Sequence, residues 1–174
     1  MDFERLVDNY EKPIFNLIYR LIGDKDDAAD LTQETFVAAY KSFSTFRSES
    51  SVYTWLYRIA INKCKNKFKE NDRRRIYEGT LIEDDEVVKG TEAKSCFADG
   101  PDAAFERKEL KELIEQAIGK LPPDYRIVAV LRDLQGMSYD EIAKAADLSI
   151  DVVRTRLARA RGMLRQKLEP YLVE

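Results

Sequence analysis

Between Asn71 and Pro101 the chain loses the spacing that organises the rest of it. This stretch carries Glu78, Glu83, Asp84, Asp85, Glu86, Glu92 and Asp99, interspersed with Gly79, Gly90 and Gly100, and it has little apolar periodicity. Such a composition buries too little apolar surface to offset the entropy of fixing a backbone. It divides the 174 residues into two lengths, each with room for one small core. Both lengths place apolar residues at helical spacing, and no strand alternation survives in either. The expected fold is all-α: two small helical domains, residues 1–70 and 102–174, joined by a flexible acidic linker over 71–101.

In the first length, Phe3, Leu6, Val7, Tyr10, Ile14, Leu17, Ile18 and Leu21 line one face of a helix that ends at Gly23 and Asp24. Pro13 lies inside it and is expected to kink or split it. A second helix is expected from Asp26 or Asp27, whose carboxylates suit a first turn, to about Ser42. Leu31, Phe36, Ala39, Tyr40 and Phe43 are its candidate core. After the polar loop "STFRSES", Ser50 or Ser51 can cap a third helix running to about Lys69. Val52, Leu56, Ile59 and Ala60 belong to its buried side, with at least part of Tyr53, Trp55 or Tyr57.

The second length reads as a helix from Asp102 to Gly119, a break at "LPPDY", and a helix to Leu134 with Pro123 at its start. After "QGMS" come a short helix over 139–146, the turn "DLS", and a long helix from Ile150 to about Glu169. The last two helices fit a helix-turn-helix. Tyr139, Ile142, Ala143 and Ala146 form the packed side of the first, and Leu148 plugs the turn. Ser149 caps the second, and Val153 and Leu157 anchor it. Asp151, Val152, Arg154 and Thr155 are then left facing outward near the start of that helix, with Arg159 a turn later. A recognition helix inserts its N-terminal side chains into the major groove, where arginine grips guanine bidentately.

The net charge of −3 conceals an uneven distribution. From Thr54 to Arg75 stand Arg58, Lys63, Lys65, Lys67, Lys69, Arg73, Arg74 and Arg75 against only Glu70 and Asp72. From Val152 to Leu168 stand six basic residues and no acid. Two basic modules flanking an acidic tether point to nucleic acid, and the tether is expected to mask them in the free chain. On the third helix, Thr54, Arg58, Asn62, Lys65 and Lys69 form a stripe suited to a sugar–phosphate backbone, with Asn62 able to read a base edge. Phe46, in the loop before it, could stack on an unpaired base, a contact worth roughly 1–3 kcal/mol. Trp55 is either core or a second stacking ring. On the second helix, Asp30, Glu34, Val37 and Lys41 share a face with Gln33 beside them. Those acids either satisfy the helix dipole or meet a basic partner protein.

With no histidine, histidine-based triads and the common histidine-containing zinc sites are excluded, while carboxylate chemistry stays open. Cys64 and Cys96 lack metal spacing and read as reduced thiols. No catalytic residue, metal or cofactor is expected. A nuclease built on "DKDDAAD" would lack a phosphate-gripping glycine loop. The start "MDFERLVDNYEK" is not a secretory signal, and no apolar run approaches a membrane span, so a cytoplasmic protein without membrane insertion is expected. A helix-turn-helix regulator with an N-terminal dimerisation or sensing domain would also fit these patterns.

The blocks "DAADLTQETFVAAYKSFSTFR…VYTWLYRIAINKCKN" and "LPPDYRIVAVLRDLQGMSYDEIAKAADLSIDVVRTRLARARGMLRQKL" closely resemble the extracytoplasmic-function class of bacterial sigma factors, over residues 10–70 and 103–170. The resemblance implies a promoter-specificity subunit of RNA polymerase without catalysis of its own. It implies that Asp30, Gln33, Glu34, Val37 and Lys41 dock on the clamp helices of the polymerase core, with a further contact at the flap. It implies that Phe46, Trp55, Arg58 and Asn62, with Tyr53, Lys63 and Lys65 nearby, open the −10 element and hold its single strand. Arg132, Asp151, Val152, Arg154, Thr155 and Arg159 fall at the positions that meet the −35 duplex. An anti-sigma protein is a further implied partner. Asp151-Val152-Val153 replaces the family's frequent "GTV", and "RSESS" replaces an "RGEAS"-like loop.

Overall fold

The computed structural model describes residues 2–46, 51–77 and 101–172, with side chains from Lys108 to Tyr171 in the last segment. Its elements are α1 (Phe3–Ile22), α2 (Lys25–Phe43), α3 (Val52–Tyr77), α4 (Pro101–Gly119), α5 (Pro123–Ala129), α6 (Tyr139–Ala146) and α7 (Ile150–Leu172), with no strand among the described residues. A π-helical turn, Val130–Leu134, extends α5. The linker expected over 71–101 lies mostly outside the described residues, as does Cys96.

Helix α1 runs as one element through Pro13, so the proline does not split it. An interior proline costs roughly 3 kcal/mol. Leu6 before it, and Ile14, Leu17, Ile18 and Leu21 after it, are all at most 1% exposed. Each buried aliphatic side chain contributes roughly 1.5–3 kcal/mol, so the stripe outweighs the proline and keeps the helix in one piece. Gly23 ends the helix with φ of 83°, donating its N–H to the Tyr19 carbonyl at 2.8 Å. Asp24 then caps α2 by accepting from the Asp27 N–H at 2.8 Å. The buried Thr32 and Thr35 return their hydroxyls to the carbonyls of Ala28 and Leu31.

Two expectations about burial are corrected. Tyr40, read as core, is 68% exposed and only leans its ring edge on Phe3. Thr54, read as part of the cationic stripe, is 3% exposed, its hydroxyl bonded to that of Ser51 at 2.8 Å. That Ser51 Oγ also accepts from the Thr54 N–H, so the start of α3 folds Thr54 inward as part of its own cap. Helix α3 also continues about two turns beyond Lys69. The residues 71–77 assigned to the linker are mostly arginine and other polar side chains, which a solvated helix accepts, and Arg74 pairs with Glu70 one turn back at 3.0 Å.

In the second domain Ser138 and Glu141 form a capping box at the start of α6. The Ser138 Oγ accepts from the Glu141 N–H at 3.2 Å, and the Glu141 carboxylate accepts from the Ser138 N–H at 2.8 Å. Asp147 ends α6 in the left-handed conformation, φ 57°, and Leu148 is packed on the core at the turn. Ser149 caps α7 through the Val152 N–H at 3.3 Å, and Val153 and Leu157 are buried. This is the helix-turn-helix expected from the sequence.

The domains are not separate bodies on a string. Helix α3 lies along α6 and touches α5. Ile61 and Cys64 of α3 belong to the same continuous buried cluster as Val128, Leu131, Met137 and Ile142 of the second domain.

Candidate nucleic-acid and polymerase interfaces

The α2 face is assembled as its spacing implies. Asp30, Gln33, Glu34, Val37 and Lys41 are all exposed, Val37 to 55%. An apolar side chain that open, ringed by acids and an amide, suits a protein partner with a basic rim. Glu34 is already engaged, because the Lys63 Nζ lies 2.9 Å from its carboxylate. One turn further along α3, Lys67 donates to Asp27 at 2.8 Å, and that hydrogen bond raises the Lys67 pKa. Lys63 thus sits where α3 meets α2, between the acidic face and the basic one.

Around the start of α3 the rings gather. Phe46 packs against Trp55 with centroids 4.8 Å apart, and Phe43 approaches Trp55 at 6.4 Å. Phe46 therefore already has a ring partner on α3. Both rings remain half-buried, so part of each stays accessible to solvent. Trp55, Arg58 and Asn62 stand three and four residues apart on one stripe, and Arg58 and Asn62 are exposed. Tyr53 packs at a tilt on Tyr57, centroids 4.2 Å apart; Tyr57 is 1% exposed, and burial raises the Tyr53 phenol pKa.

Lys65 is not free for DNA in this arrangement. Its Nζ donates to the Ala146 carbonyl at 2.6 Å, and burial lowers its pKa. Arg58 reaches Asp147 at 3.8 Å, with both side chains largely exposed. Two members of the expected −10 set are thereby turned toward the helix-turn-helix.

On the second domain the π-helical turn re-aims three side chains. Its wide hydrogen bond, Gln135 N–H to the Val130 carbonyl at 3.0 Å, inserts extra backbone before α6. Arg132 thereby donates to the Met137 carbonyl at 2.8 Å and stacks over Tyr139, 5.3 Å from the ring centre. Asp133 receives Arg161 at 2.5 Å and raises its pKa. Gln135 accepts from the Tyr57 hydroxyl at 3.2 Å.

Along α7, Asp151 pairs with Arg154 at 3.8 Å, and Thr155 returns its hydroxyl to the Asp151 carbonyl. The six α7 cations have no acid of their own between Val152 and Leu168. Arg156 meets Asp124 at 3.0 Å and Arg161 meets Asp133, so the fold supplies part of the counter-charge. Arg159 touches only the Tyr125 hydroxyl, at 3.4 Å, and has no carboxylate partner among the described residues. Asp151, Val152, Thr155 and Arg159 line a groove of about 840 Å³ whose far wall is Lys65, Phe68, Lys69 and Asp72 of α3. Among the described residues no three acidic or thiol side chains gather as a metal site, and no helix is long and apolar enough to cross a membrane.

Sequence reasoning missed Arg126. Its Nη1 donates to the Leu21 carbonyl of α1 at 2.7 Å and its Nη2 to the Leu121 carbonyl at 2.9 Å and to that of Gly119. The guanidinium lies over Phe68, burial lowers its pKa, and its Nε is buried without a partner. The available signal was a lone cation entering the apolar run "RIVAVL", where a charge survives only if carbonyls receive it.

Comparison with known proteins agrees with this architecture. Residues 6–74 match the sigma-70 region 2 family and residues 111–164 the sigma-70 region 4 family. The chain is 38% identical to the RNA polymerase sigma-H factor of Pseudomonas aeruginosa, covering 99% of this chain and 89% of that one. It is 37% identical to the ECF RNA polymerase sigma-E factor of Haemophilus influenzae, covering 98% of this chain and 89% of the relative. Among solved structures the fold resembles the sigma factor RpoE in its complex with the anti-sigma factor NepR from Bartonella quintana. The TM-score is 0.76 at 22% identity over 97% of both chains. It also resembles CnrH in complex with the cytosolic domain of CnrY, with a TM-score of 0.65 at 24% identity over 97% of this chain and 88% of the other. A stand-alone helix-turn-helix regulator has no use for region 2, and the paired regions decide between the two readings. The chain belongs to the ECF class of RNA polymerase sigma factors, non-enzymatic subunits that direct promoter-specific initiation of transcription.

Proposed function

We propose that this sigma factor divides promoter recognition between two modules, residues 1–70 with the helical extension to Tyr77, and residues 102–174, with the residues between them as tether. The first docks on the polymerase clamp helices through Asp30, Gln33, Glu34, Val37 and Lys41. It holds unpaired −10 bases with Phe46, Trp55, Arg58 and Asn62, and Tyr53, Lys63 and Lys65 flank that site. The second lays α7 in the −35 major groove, presenting Arg154, Thr155 and Arg159, with Asp151 and Val152 at the edge and Arg132 steadying the approach. It also meets the polymerase flap. Function is cytoplasmic, where polymerase and promoter are, and an anti-sigma protein is a regulatory partner, as in the complexes of the two structural relatives.

The observation that carries this reading is the half-buried Phe46–Trp55 pair beside exposed Arg58 and Asn62 on one stripe of α3. Rings partly open to solvent, next to an amide and a cation, hold an extruded base while its phosphate is neutralised. Each base captured offsets part of a stacking loss of about 1.4 kcal/mol per step, so capture draws melting forward. Replacing Phe46 and Asn62 together by alanine should lower promoter opening, followed by permanganate reactivity of −10 thymines, by about tenfold or more. Co-elution with core polymerase should persist. Unchanged permanganate reactivity would remove these residues from the mechanism.

A further inference from the structure

Four residues run along the line of α7 that points away from its core. Val153, Leu157 and Ala160 are buried, and opposite them Asp151, Thr155, Ala158 and Gly162 are all exposed at helical spacing. The outermost line of the helix thus carries one carboxylate at its leading end and only short side chains behind it. Arg154 and Arg159 stand on either flank of that line, both exposed. Val152 lies beside Asp151, an apolar side chain left 37% exposed. A Cβ on Gly162 would meet no atom of the chain, so the protein's own packing does not call for glycine there. A bare outer line lets the helix approach a surface closely, which brings a side chain as short as aspartate within reach of it.

A carboxylate in that place works against the charge of the helix. Phosphates repel it, whereas Arg154, Arg156, Arg159, Arg161 and Arg165 draw the helix toward them. An acid in the first turn does suit the helix dipole. The cap itself is supplied by Ser149, whose hydroxyl accepts from the Val152 N–H at 3.3 Å, so Asp151 is free of that duty. Its ionic partner among the described residues is Arg154 at 3.8 Å, and both side chains are largely exposed, so the pair yields to a closer partner. The major groove offers a carboxylate one good partner. Cytosine shows its N4 amino donor with no acceptor of its own beside it, adenine sets N7 next to its amino group, and guanine and thymine present carbonyl oxygens. The thymine methyl is the apolar feature that a valine can meet.

We propose that Asp151 and Val152 set the base specificity of the −35 contact: the Asp151 carboxylate accepts from the N4 amino group of a cytosine, and Val152 packs on the methyl group of a neighbouring thymine. This rests on the assignment of α7 as the −35 reading helix and names what its leading end reads. The Thr155 hydroxyl, one turn on, donates to the Asp151 carbonyl at 2.9 Å, so its proton is engaged within the helix. The acid at the start of α7 is then a selective element. It is tolerated where a cytosine amino group meets it and repelled by the acceptors of every other base.

The test uses the full-length chain with core polymerase on a random promoter library, as wild type, Asp151→Asn and Val152→Ser. It reads base frequencies in the upstream motif of the promoters that yield transcripts. Wild type should select a C·G pair with a T·A pair beside it. Asp151→Asn should replace that cytosine by adenine, whose N6 and N7 fit an amide bidentately, moving the cytosine-to-adenine ratio by about tenfold or more. Val152→Ser should cut the thymine preference by about threefold. Both variants should keep the other positions of the motif and its distance to the start. Unchanged base frequencies in the variants would overturn the inference. So would a wild-type upstream motif without a cytosine, a result that stands even if a variant fails to fold. Loss of a guanine elsewhere in the motif, with the cytosine kept, would make Asp151 a brace for Arg154 and overturn its role as a reader. A wild type with no recurring upstream motif would instead remove the −35 assignment of α7, on which the inference rests.

Discussion

Glu34 is held by a residue of the same chain before any polymerase arrives. The Lys63 ion pair at 2.9 Å joins two partly exposed side chains, so it contributes no more than about 1 kcal/mol. A basic surface on the polymerase can displace it at little cost. Glu34→Ala should weaken co-elution with core by about tenfold. Lys63→Ala, which frees the carboxylate, should leave core affinity unchanged or raise it by about two- to threefold while reducing promoter opening. Equal losses of core binding in both variants would assign Lys63 to the docking face instead. Cys64 offers a different test. Burial pushes its thiol from the ordinary 9.0 up to about 12. The unfolded thiol therefore ionises first, and the fold loses about 1.4 kcal/mol for each pH unit between those values. Denaturant titrations from pH 9 to 11 should show that slope relaxed in Cys64→Ala. Parallel slopes would mean that the thiol is not shielded.

Among the elements, the sequence was most legible where local rules and packing agree. The capping box of α6, the plug at Leu148 and the anchors Val153 and Leu157 all stand where spacing and cap chemistry put them. Ser138→Ala removes one half of the box and should cost about 1 kcal/mol, a fall in Tm of about 2–4 °C. A melt indistinguishable from wild type would mean that α6 draws its stability from packing alone. Legibility failed where a specific contact overrides the pattern of spacing. Pro13 predicts a break that the buried stripe from Leu6 to Leu21 does not permit. Thr54 has the spacing of the cationic face, but its hydroxyl serves the cap at Ser51. The π-helical turn that redirects Arg132, Asp133 and Gln135 has no periodic signature, because one extra backbone unit leaves the apolar pattern of "RIVAVL" intact.

At the scale of the whole molecule, the two basic modules could be read from the order of charges, but not the fact that they face each other. Lys65 looked like one more phosphate contact on its stripe, and only the fold reveals the Ala146 carbonyl at its tip. Arg126 carried no motif at all, yet it joins three carbonyls from α1 and the α4–α5 turn. In the proposed mechanism polymerase fixes the separation of the two reading domains, so that both promoter elements are read at one spacing. The most direct check of that account is to sequence transcript 5′ ends made by core polymerase plus this protein on a random promoter library. Starts should fall at a fixed distance downstream of a recurring pair of short motifs, the upstream one lost when Arg154 and Arg159 are replaced by alanine. Starts scattered as they are with core polymerase alone would contradict it.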